Sequence, residues 1–194
     1  MTAERAPAWL DAIRIRVEQH SSTTSDPNWR SSLKDAAVLV LLVDNKSRPS
    51  IVLTQRAGTL RNYPGILAFP GGAAAASDEE PAATALREAA EEIGVDPESI
   101  HVIGLLPPRI LPATQFWVTP VIGWCAELEL SGATSPNEVA SVVQVPLDEF
   151  GTAAHSSGPH ITRDGRHPGF SVGGTAVGAM TAEVIHVLLG HRQV

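Results

Sequence analysis

A short amphipathic helix is predicted over residues 80–93. This segment constrains the fold more than any other, because its apolar side chains are small. Pro81 suits the first helical turn, and Gly94 is placed to end the helix. One arc of the helix is apolar and consists of Ala82, Ala83, Leu86, Ala89, Ala90 and Ile93. The opposite arc carries Thr84, Arg87, Glu88, Glu91 and Glu92. Because alanine side chains project so little, we expect the apolar face to lie close against a sheet or a core.

The acidic residues of this helix are concentrated at the end where the helix dipole disfavours them. Residues 78–92 hold six acids and one arginine, a net charge of −5 in a chain whose net charge is −7. Glu91 and Glu92 fall in the last turn, and the Arg87–Glu91 pair has the less favourable i,i+4 order. A solvated helix face is the alternative interpretation. A divalent cation explains the arrangement better, because Mg²⁺ binds carboxylate oxygens and bridges them to phosphates.

At these residues the chain resembles the Nudix hydrolases, whose signature reads G-x5-E-x7-R-E-U-x-E-E-x-G-U, with U aliphatic. Counted back from Gly94 and Val95, the positions are filled by Glu92, Glu91, Ala89, Glu88, Arg87 and Glu79. The opening glycine of the signature falls on Ala73, while the Gly-Gly pair stands one residue earlier. The loop before the helix is therefore one residue longer than the standard form.

The longer loop and the flanking segments resemble the coenzyme A pyrophosphatase subgroup of that family. The similar segments include LTQRAGTLRNYPGILAFPGG at 53–72 and TALREAAEEIG at 84–94, and the resemblance covers roughly residues 36–190. Three positions depart from the subgroup: Tyr63 replaces the usual His, Ile66 a polar residue, and Ala75 the usual Asp. The metal-binding acids are thus intact, while the flank associated with specificity is altered.

The resemblance implies an α/β protein with the Nudix fold, an α/β/α sandwich with a mixed β-sheet. It implies that Glu88, Glu91 and Glu92 hold Mg²⁺ or Mn²⁺ and that Arg87 orients a neighbouring carboxylate. Either Glu88 or Glu92 could accept the proton of the attacking water. Glu138 is a candidate for a further metal or base contribution, with an ordinary surface acid as the alternative.

Five residues are predicted to contact the substrate: Arg56, Arg61, Gly71, Gly72 and Arg109. The glycines allow close backbone approach near the metal site, and the arginines are candidates for phosphate contacts. Arg61 follows Leu60, as in the Leu-Arg pair of the subgroup. The alternative for each arginine is a surface position paired with an acid.

The rest of the chain predicts one Nudix domain over residues 34–194, preceded at 1–33 by a helix and a polar loop. Helical spacing covers 7–19 and 181–189, and the polar loop covers 21–28. His155, His160 and His167 lie in a loop-like stretch and match no closed zinc pattern. Strands are predicted at 36–43, 50–54, 66–69, 101–106, 116–125 and 139–145.

Composition limits the environment and the partners of the chain. With 194 residues and 43% hydrophobic content, it can bury one good core. Its single cysteine, Cys125, excludes an internal disulfide and fits a reducing cytoplasm. We expect neither a membrane span nor a secretory signal, because the chain has no long apolar run. A net charge of −7 argues against nonspecific nucleic-acid binding, and the subgroup resemblance suggests a homodimer.

The expected function is metal-dependent hydrolysis of a diphosphate linkage by attack of water on phosphorus. Coenzyme A or a related nucleoside diphosphate derivative is the expected small-molecule substrate. NADH, ADP-ribose and dinucleotide polyphosphates are alternatives, as is a noncatalytic module that only binds a nucleotide. A binding module has no need of the complete set of Arg87, Glu88, Glu91 and Glu92, so the set favours an enzyme.

Overall fold

Helices lie on both faces of a mixed β-sheet in the computed structural model, which describes residues 6–20, 30–45, 48–111, 113–128, 132–153, 160–162, 165–167 and 171–190. The helices of this part of the chain are α1 (Ala8–His20), α2 (Pro81–Ile93), α3 (Leu147–Ala153) and α4 (Ala179–Leu189). Three of them confirm the predicted helices at 7–19, 80–93 and 181–189, while α3 was not predicted. The predicted polar loop at 21–28 lies outside the described residues.

The strands include all six that the sequence predicts, together with several short ones that it does not. In chain order they are β1 (Lys34–Asn45), β2 (Arg48–Arg56), β3 (Leu67–Ala68), β4 (Gly71–Ala73), β5 (His101–Leu105), β6 (Arg109–Leu111), β7 (Phe116–Cys125), β8 (Val139–Pro146), β9 (His160–Thr162), β10 (Gly165–His167), β11 (Ser171–Val172) and β12 (Thr175–Ala176).

The main sheet is built around β1, whose core positions are almost completely buried. Its principal order is β3-β2-β1-β7-β5, and β8, β4 and β6 pair with β2, β1 and β7 respectively. β1 and β7 run parallel, whereas the other pairs are antiparallel, so the sheet is mixed. Burial on both faces explains why β1 reads as a continuous apolar run instead of an alternating one.

The edge of β1 away from β7 is shared between two partners, which opens a fork in the sheet. The last residues of β1 pair with β2, at Leu42↔Ile51 and beyond. Its first residues pair instead with β4, at Ala37↔Gly72. Past this point β2 pairs with β3 on that edge, at Gln55↔Leu67, while β8 pairs with its other edge. The Gly-Gly loop therefore enters the sheet between β1 and β2.

Two hydrophobic clusters, one on each face of the sheet, complete the layers. On one face Ala85 and Ala89 of α2 pack against Leu39 and Leu41. On the other face α1 and α4 cover a cluster that includes Leu42. Arg16 of α1 also donates from Nη1 to the carbonyl oxygen of Leu188 at 2.8 Å. This arrangement confirms the predicted α/β/α sandwich. In the described residues, no helix is both long enough and apolar enough to cross a bilayer.

Candidate active site

The ends of α2 are set by the two residues that the sequence indicated. Pro81 occupies the first turn, where its missing N–H leaves no hydrogen bond unmade. Gly94 adopts the left-handed conformation, with φ 71°, and its N–H donates to the Ala90 carbonyl oxygen at 3.0 Å. The helix therefore ends sharply at Gly94, and Glu88 and Glu92 lie against the Gly-Gly pair.

The buried face of α2 is wider than the apolar arc and includes two residues predicted to lie opposite it. Thr84 is 1% exposed and Glu92 6% exposed. Both have a polar partner: the Thr84 hydroxyl donates to Asp78 Oδ2 at 2.9 Å, and Glu92 Oε2 accepts from the Gly71 N–H at 3.1 Å. The assignment of these two residues to the outer face was wrong, because the loop before the helix folds back over them.

Arg87 is the centre of a hydrogen-bond network that joins this loop to the helix. Its Nε and Nη2 donate to Asp78 at 3.3 and 3.0 Å, and Nη2 also donates to the Ala73 carbonyl oxygen at 3.0 Å. Its Nη1 donates to Glu88 at 2.9 Å and to Glu91 at 3.2 Å. One guanidinium thus orients two of the predicted metal-binding carboxylates and is itself held by Asp78.

Both positions of the Gly-Gly pair lie in close contact with neighbouring atoms, Gly71 with the backbone and Gly72 with the side chain of Glu88. A Cβ at Gly72 would lie 2.6 Å from the carboxylate carbon of Glu88. A Cβ at Gly71 would lie 2.3 Å from the backbone oxygen of Ala37. The Glu88 carboxylate therefore occupies space that any other residue at 72 would fill. Since the Gly71 N–H binds Glu92, this short backbone segment touches both acids.

Burial makes the charged forms of the two inner acids costly. Burial raises the pKa of Glu92 to about 7, although the hydrogen bond from Gly71 favours the carboxylate. Burial also raises the pKa of Glu88, against the hydrogen bond from Arg87. The charge of Glu138 acts on both in the same direction as burial, while Arg56 opposes the shift at Glu92. A concentration of negative charge in low dielectric favours a cationic ligand.

The chemistry of this donor set fits Mg²⁺ or Mn²⁺, which prefer carboxylate oxygens. Glu88 and Glu92 are largely buried, repel each other, and lie against a backbone that leaves room for them. In the described part of the chain, however, no three acidic, histidine or cysteine side chains converge into a metal site. Glu91 stands apart, since its side chain is 58% exposed and accepts from Arg87. The assignment of all three glutamates as ligands stays a prediction.

The segment before β8 supports the C-terminal end of α2. The Thr134 N–H donates to the Glu92 carbonyl oxygen at 3.0 Å, and its hydroxyl donates to the Glu91 carbonyl oxygen. Four residues later, the Glu138 carbonyl oxygen accepts from the Ala57 N–H at 2.8 Å. This segment connects the end of α2 with the end of β2. Glu138 is thereby brought within electrostatic range of Glu88 and Glu92.

The three candidate arginines lie in different surroundings. Arg56 ends β2 close enough to Glu92 to lower the pKa of that acid. Arg61 is exposed and lines a polar cavity of about 560 Å³ together with Asn62, Thr114 and others. Arg109 donates from Nε to Glu183 of α4 at 2.8 Å and from Nη1 to the Pro107 carbonyl oxygen at 2.7 Å. For Arg109 the structure shows the paired arrangement that the sequence left as the alternative.

The three departures from the subgroup lie in the loops around this site. Tyr63 has a left-handed backbone, with φ 54°, which is unusual for a residue other than glycine. Ile66 packs close to Gly178 at the start of α4. The Ala75 N–H donates to Asp78 Oδ2 at 2.9 Å. Of the histidines, His155 lies outside the described residues, as do the side chains of His160 and His167.

Two residues of the site were missed by sequence reasoning, namely Asp78 and Thr134. Asp78 accepts from the backbone of Ala75, the hydroxyl of Thr84 and the guanidinium of Arg87. An acid just before a helix start is a recognisable signal for interaction with the first turn. Thr134 carries no such signal, because it lies 43 residues from Glu91, whose carbonyl oxygen its hydroxyl binds.

Comparison with known proteins gives concordant results. The family described as NUDIX domain matches residues 33–164. The protein named Uncharacterized Nudix hydrolase NudL from Cronobacter sakazakii is 41% identical over 84% of this chain and 83% of its own length. The protein of that name from Citrobacter koseri is 48% identical over 60% of this chain, and the match spans only 59% of the relative.

Solved structures resemble the fold at low sequence identity. A NUDIX hydrolase from Alicyclobacillus acidocaldarius aligns with a TM-score of 0.54 and 20% identity, covering 81% of this chain and 91% of the other. The NUDIX domain of Shewanella oneidensis NrtR, solved in complex with ADP ribose, aligns with a TM-score of 0.56 and 16% identity, covering 86% and 93%. Because the sequence identities are 20% and 16%, these two similarities support the fold and not a particular activity.

Proposed function

Since this chain belongs to the NUDIX domain family, we propose that it hydrolyses the diphosphate linkage of coenzyme A or a related nucleoside diphosphate derivative. One observation carries the proposal: Arg87 holds Glu88 and Glu91 on α2, while the Gly-Gly loop leaves room for Glu88 and binds Glu92. Burial of Glu88 and Glu92 beside each other is costly for stability, and a hydrolytic site that takes a cation accounts for it.

Mg²⁺ or Mn²⁺, held by Glu88, Glu91 and Glu92, would neutralise phosphate oxygens and lower the pKa of water. The protein side chains have distinct tasks around it. Arg87 keeps its neighbouring carboxylates oriented through charge-assisted hydrogen bonds. The proton of the attacking water passes to Glu88 or Glu92, and Glu138 is the further candidate for this task.

Arg56 and Arg61 are the proposed phosphate contacts. Arg56 faces the acids of α2, where the diphosphate must lie if they hold the cation. Arg61 lies in the loop that follows β2 and lines a polar cavity. Arg109 would have to exchange its contact with Glu183 before it could bind phosphate, so it is the weakest of the three candidates.

Three further properties complete the proposal. The substrate is a small molecule, and the subgroup resemblance supports a homodimer. A reducing cytoplasm suits the lone Cys125, which is 2% exposed. Its burial raises the pKa of the thiol to about 11, so that the reactive thiolate is scarce at neutral pH.

A substrate panel tests the proposal directly. Coenzyme A, acyl-coenzyme A, NADH, ADP-ribose and diadenosine polyphosphates are incubated with the protein and Mg²⁺ or Mn²⁺, and the products are separated by chromatography. We expect coenzyme A to yield two phosphate-bearing products. If the protein hydrolyses none of these substrates under conditions in which a control Nudix enzyme is active, the proposal is wrong.

Substitution of single acids tests the metal assignment. Glu91→Gln and Glu92→Gln should each lose metal affinity, measured by titration calorimetry, and lose activity with it. The matched control is Glu98→Gln, an exposed acid on a turn beyond α2, which should behave like the wild type. Wild-type metal affinity in both α2 variants would contradict the assignment.

A further inference from the structure

Two buried side-chain nitrogen atoms in the described residues of β2 and β8 have no hydrogen-bond partner there. They are Nε of Arg56 and Nε2 of Gln144. Buried donors are almost always satisfied in folded proteins, so each exception needs an explanation. Leaving such a donor unpaired costs roughly 1–3 kcal/mol. Arg56 is already assigned to the substrate, whereas Gln144 has no role in the site described above.

Strand pairing places Gln144 on the same face of the sheet as α2. Gln144 of β8 lies directly opposite Val52 of β2. Val52 is fully buried in the cluster that contains Ala85 and Ala89 of α2. Residues directly opposite each other in an antiparallel pair point to one face. The Gln144 amide therefore shares the face that carries the acids of α2.

Arg56 links this position to the catalytic acids. It lies four residues beyond Val52 along β2, just past a shift in the register with β8 between Gln55 and Arg56. It also acts electrostatically on Glu92, which places its charge near the acids. Four residues of strand span about 13 Å. Gln144 is therefore separated from the diphosphate contacts by about the length of a nucleoside or of a pantetheine arm.

Gln55 on the opposite face of β2 provides an internal contrast. Its Nε2 donates to the Gly65 carbonyl oxygen at 3.4 Å, and its Oε1 accepts from the Ser141 hydroxyl at 3.1 Å. Both ends of this amide have partners within the fold. The two glutamines thus occupy neighbouring strands, and the one whose donor is unpaired is the one on the α2 side of the sheet.

We propose that Gln144 is a specificity-determining residue, whose amide hydrogen-bonds the part of the substrate beyond the diphosphate. This inference rests on the proposed function. A primary amide offers a donor and an acceptor side by side, so it suits a group with the complementary pair. The edge of adenine and the amide groups of pantetheine both have this chemistry. A site with such a polar group discriminates against substrates that leave the group unpaired.

Gln144→Met tests the proposal, because methionine keeps the length of the side chain and removes its polar end. KM should rise about tenfold, the loss of affinity expected when one hydrogen bond to the substrate is removed, and kcat should stay nearly unchanged. The melting temperature should not fall, since the variant removes an unpaired buried donor. Gln55→Met is the matched control, for which we expect a lower melting temperature and an unchanged KM.

Comparison of KM for coenzyme A and for ADP-ribose distinguishes whether Gln144 binds adenine or pantetheine. A higher KM for both coenzyme A and ADP-ribose assigns the contact to adenine, whereas a higher KM for coenzyme A only assigns it to pantetheine. An unchanged KM for every substrate that the wild-type enzyme hydrolyses overturns the role of Gln144 and leaves the proposed function standing. If the wild type hydrolyses none of the panel, the proposed function fails and the role of Gln144 fails with it.

Discussion

At Gly72 the missing side chain leaves the space that the Glu88 carboxylate occupies. Three atoms of that carboxyl group lie 2.6–2.8 Å from the position of a Cβ. The neighbouring atoms belong to the end of a flexible side chain, so an added methyl group displaces them instead of breaking the backbone. A substitution here should therefore affect chemistry more than folding.

We expect Gly72→Ala to lower kcat/KM by at least about tenfold, because misplacing a catalytic group is costly for rate. The melting temperature should change by only a few degrees. Gly58→Ala is the matched control, since a Cβ at Gly58 meets no atom within 4 Å. Steady-state kinetics and thermal unfolding of the two variants provide the measurement. Wild-type activity of Gly72→Ala would show that Glu88 does not need its present position.

Asp78 links the site to the acid stability of the fold. The hydrogen bond from Arg87 holds the pKa of Asp78 well below its ordinary value. A carboxylate of this kind stabilises the fold above its unfolded-state pKa of about 4, and the stabilisation is lost as pH falls through the folded-state pKa. In Asp78→Asn this contribution is absent at every pH.

We therefore expect Asp78→Asn to be less stable than the wild type at pH 7, by an amount that shrinks as pH falls below about 4. Urea unfolding of both proteins at pH 7, 5, 4 and 3 measures the difference. A difference that stays constant down to pH 3 would contradict the assigned contact. Activity should fall as well, because Arg87 loses the acid that holds it.

At the scale of elements, the last turn of α2 depends on a segment remote in sequence. Thr134 donates from its N–H and its hydroxyl to the carbonyl groups of Glu92 and Glu91. Terminal carbonyl groups have no partners inside a helix, and they carry the negative end of the dipole. Both donors therefore reduce negative potential where the acids of the site are concentrated.

We expect Thr134→Val to destabilise the fold by about 0.5–1.5 kcal/mol and to weaken Mn²⁺ binding severalfold. Thr134→Ser, which keeps the hydroxyl, should restore both properties. Ser99→Ala is the control, because it removes a similar hydroxyl contact, to the Asp96 carbonyl oxygen at 2.7 Å, on a turn outside the site. Calorimetric titration with Mn²⁺ gives the affinity, and equal affinities for Thr134→Val and the wild type would refute the expected support.

The elements that the sequence predicts correctly are those with a long pattern or a strong end signal. α2 has Pro81 and Gly94 at its ends, and β1 has an uninterrupted apolar run. β4, which was not predicted, is too short to show alternation, and its pairing depends on the fork. The hairpin of β11 and β12 did carry a signal, since Gly173 and Gly174 both have positive φ and form its turn.

The candidate site is predictable where one helix carries it and unpredictable where distant segments meet. Arg87, Glu88 and Glu92 follow from spacing on α2 together with the family resemblance. The burial of Glu92 depends on Gly71, 21 residues earlier, and the tasks of Thr134 and Gln144 depend on contacts between segments about 40 or more residues apart. No local pattern records such contacts, because helix and strand periodicity describes only neighbours within a few residues.

On the scale of the whole molecule, α1 belongs to the same core as the sheet. Leu10, Ile13 and Val17 are each at most 3% exposed and join the cluster shared with α4. The Arg16 contact with the Leu188 carbonyl oxygen ties the two helices together. We infer that the N-terminal helix and the rest of the described chain unfold in one transition.

We expect Ile13→Ala to destabilise the protein by about 2–5 kcal/mol, as deletion of a buried side chain does. Ile15→Ala on the same helix should change stability by less than about 0.5 kcal/mol, because Ile15 is 53% exposed. Urea unfolding followed by circular dichroism and by tryptophan fluorescence measures both. Two separate transitions in the wild type would show that α1 folds independently of the sheet.

The fork between β1 and β2 has a consequence for how this enzyme can change over time. The acids proposed for the chemistry lie on α2, which packs against β1 and is hydrogen-bonded to β4 through Glu92. These elements form one side of the fork. Arg56 and Gln144, which are proposed to contact the substrate, lie on the paired strands β2 and β8, on the other side of the fork. If Arg56 and Gln144 contact the substrate as proposed, substitution of these two side chains would alter which molecule is accepted while Arg87 still holds Glu88 and Gly71 still binds Glu92. On these proposed roles, the residues of the hydrolytic step and those of substrate choice lie on different elements, so new specificities could arise while the hydrolytic step is kept.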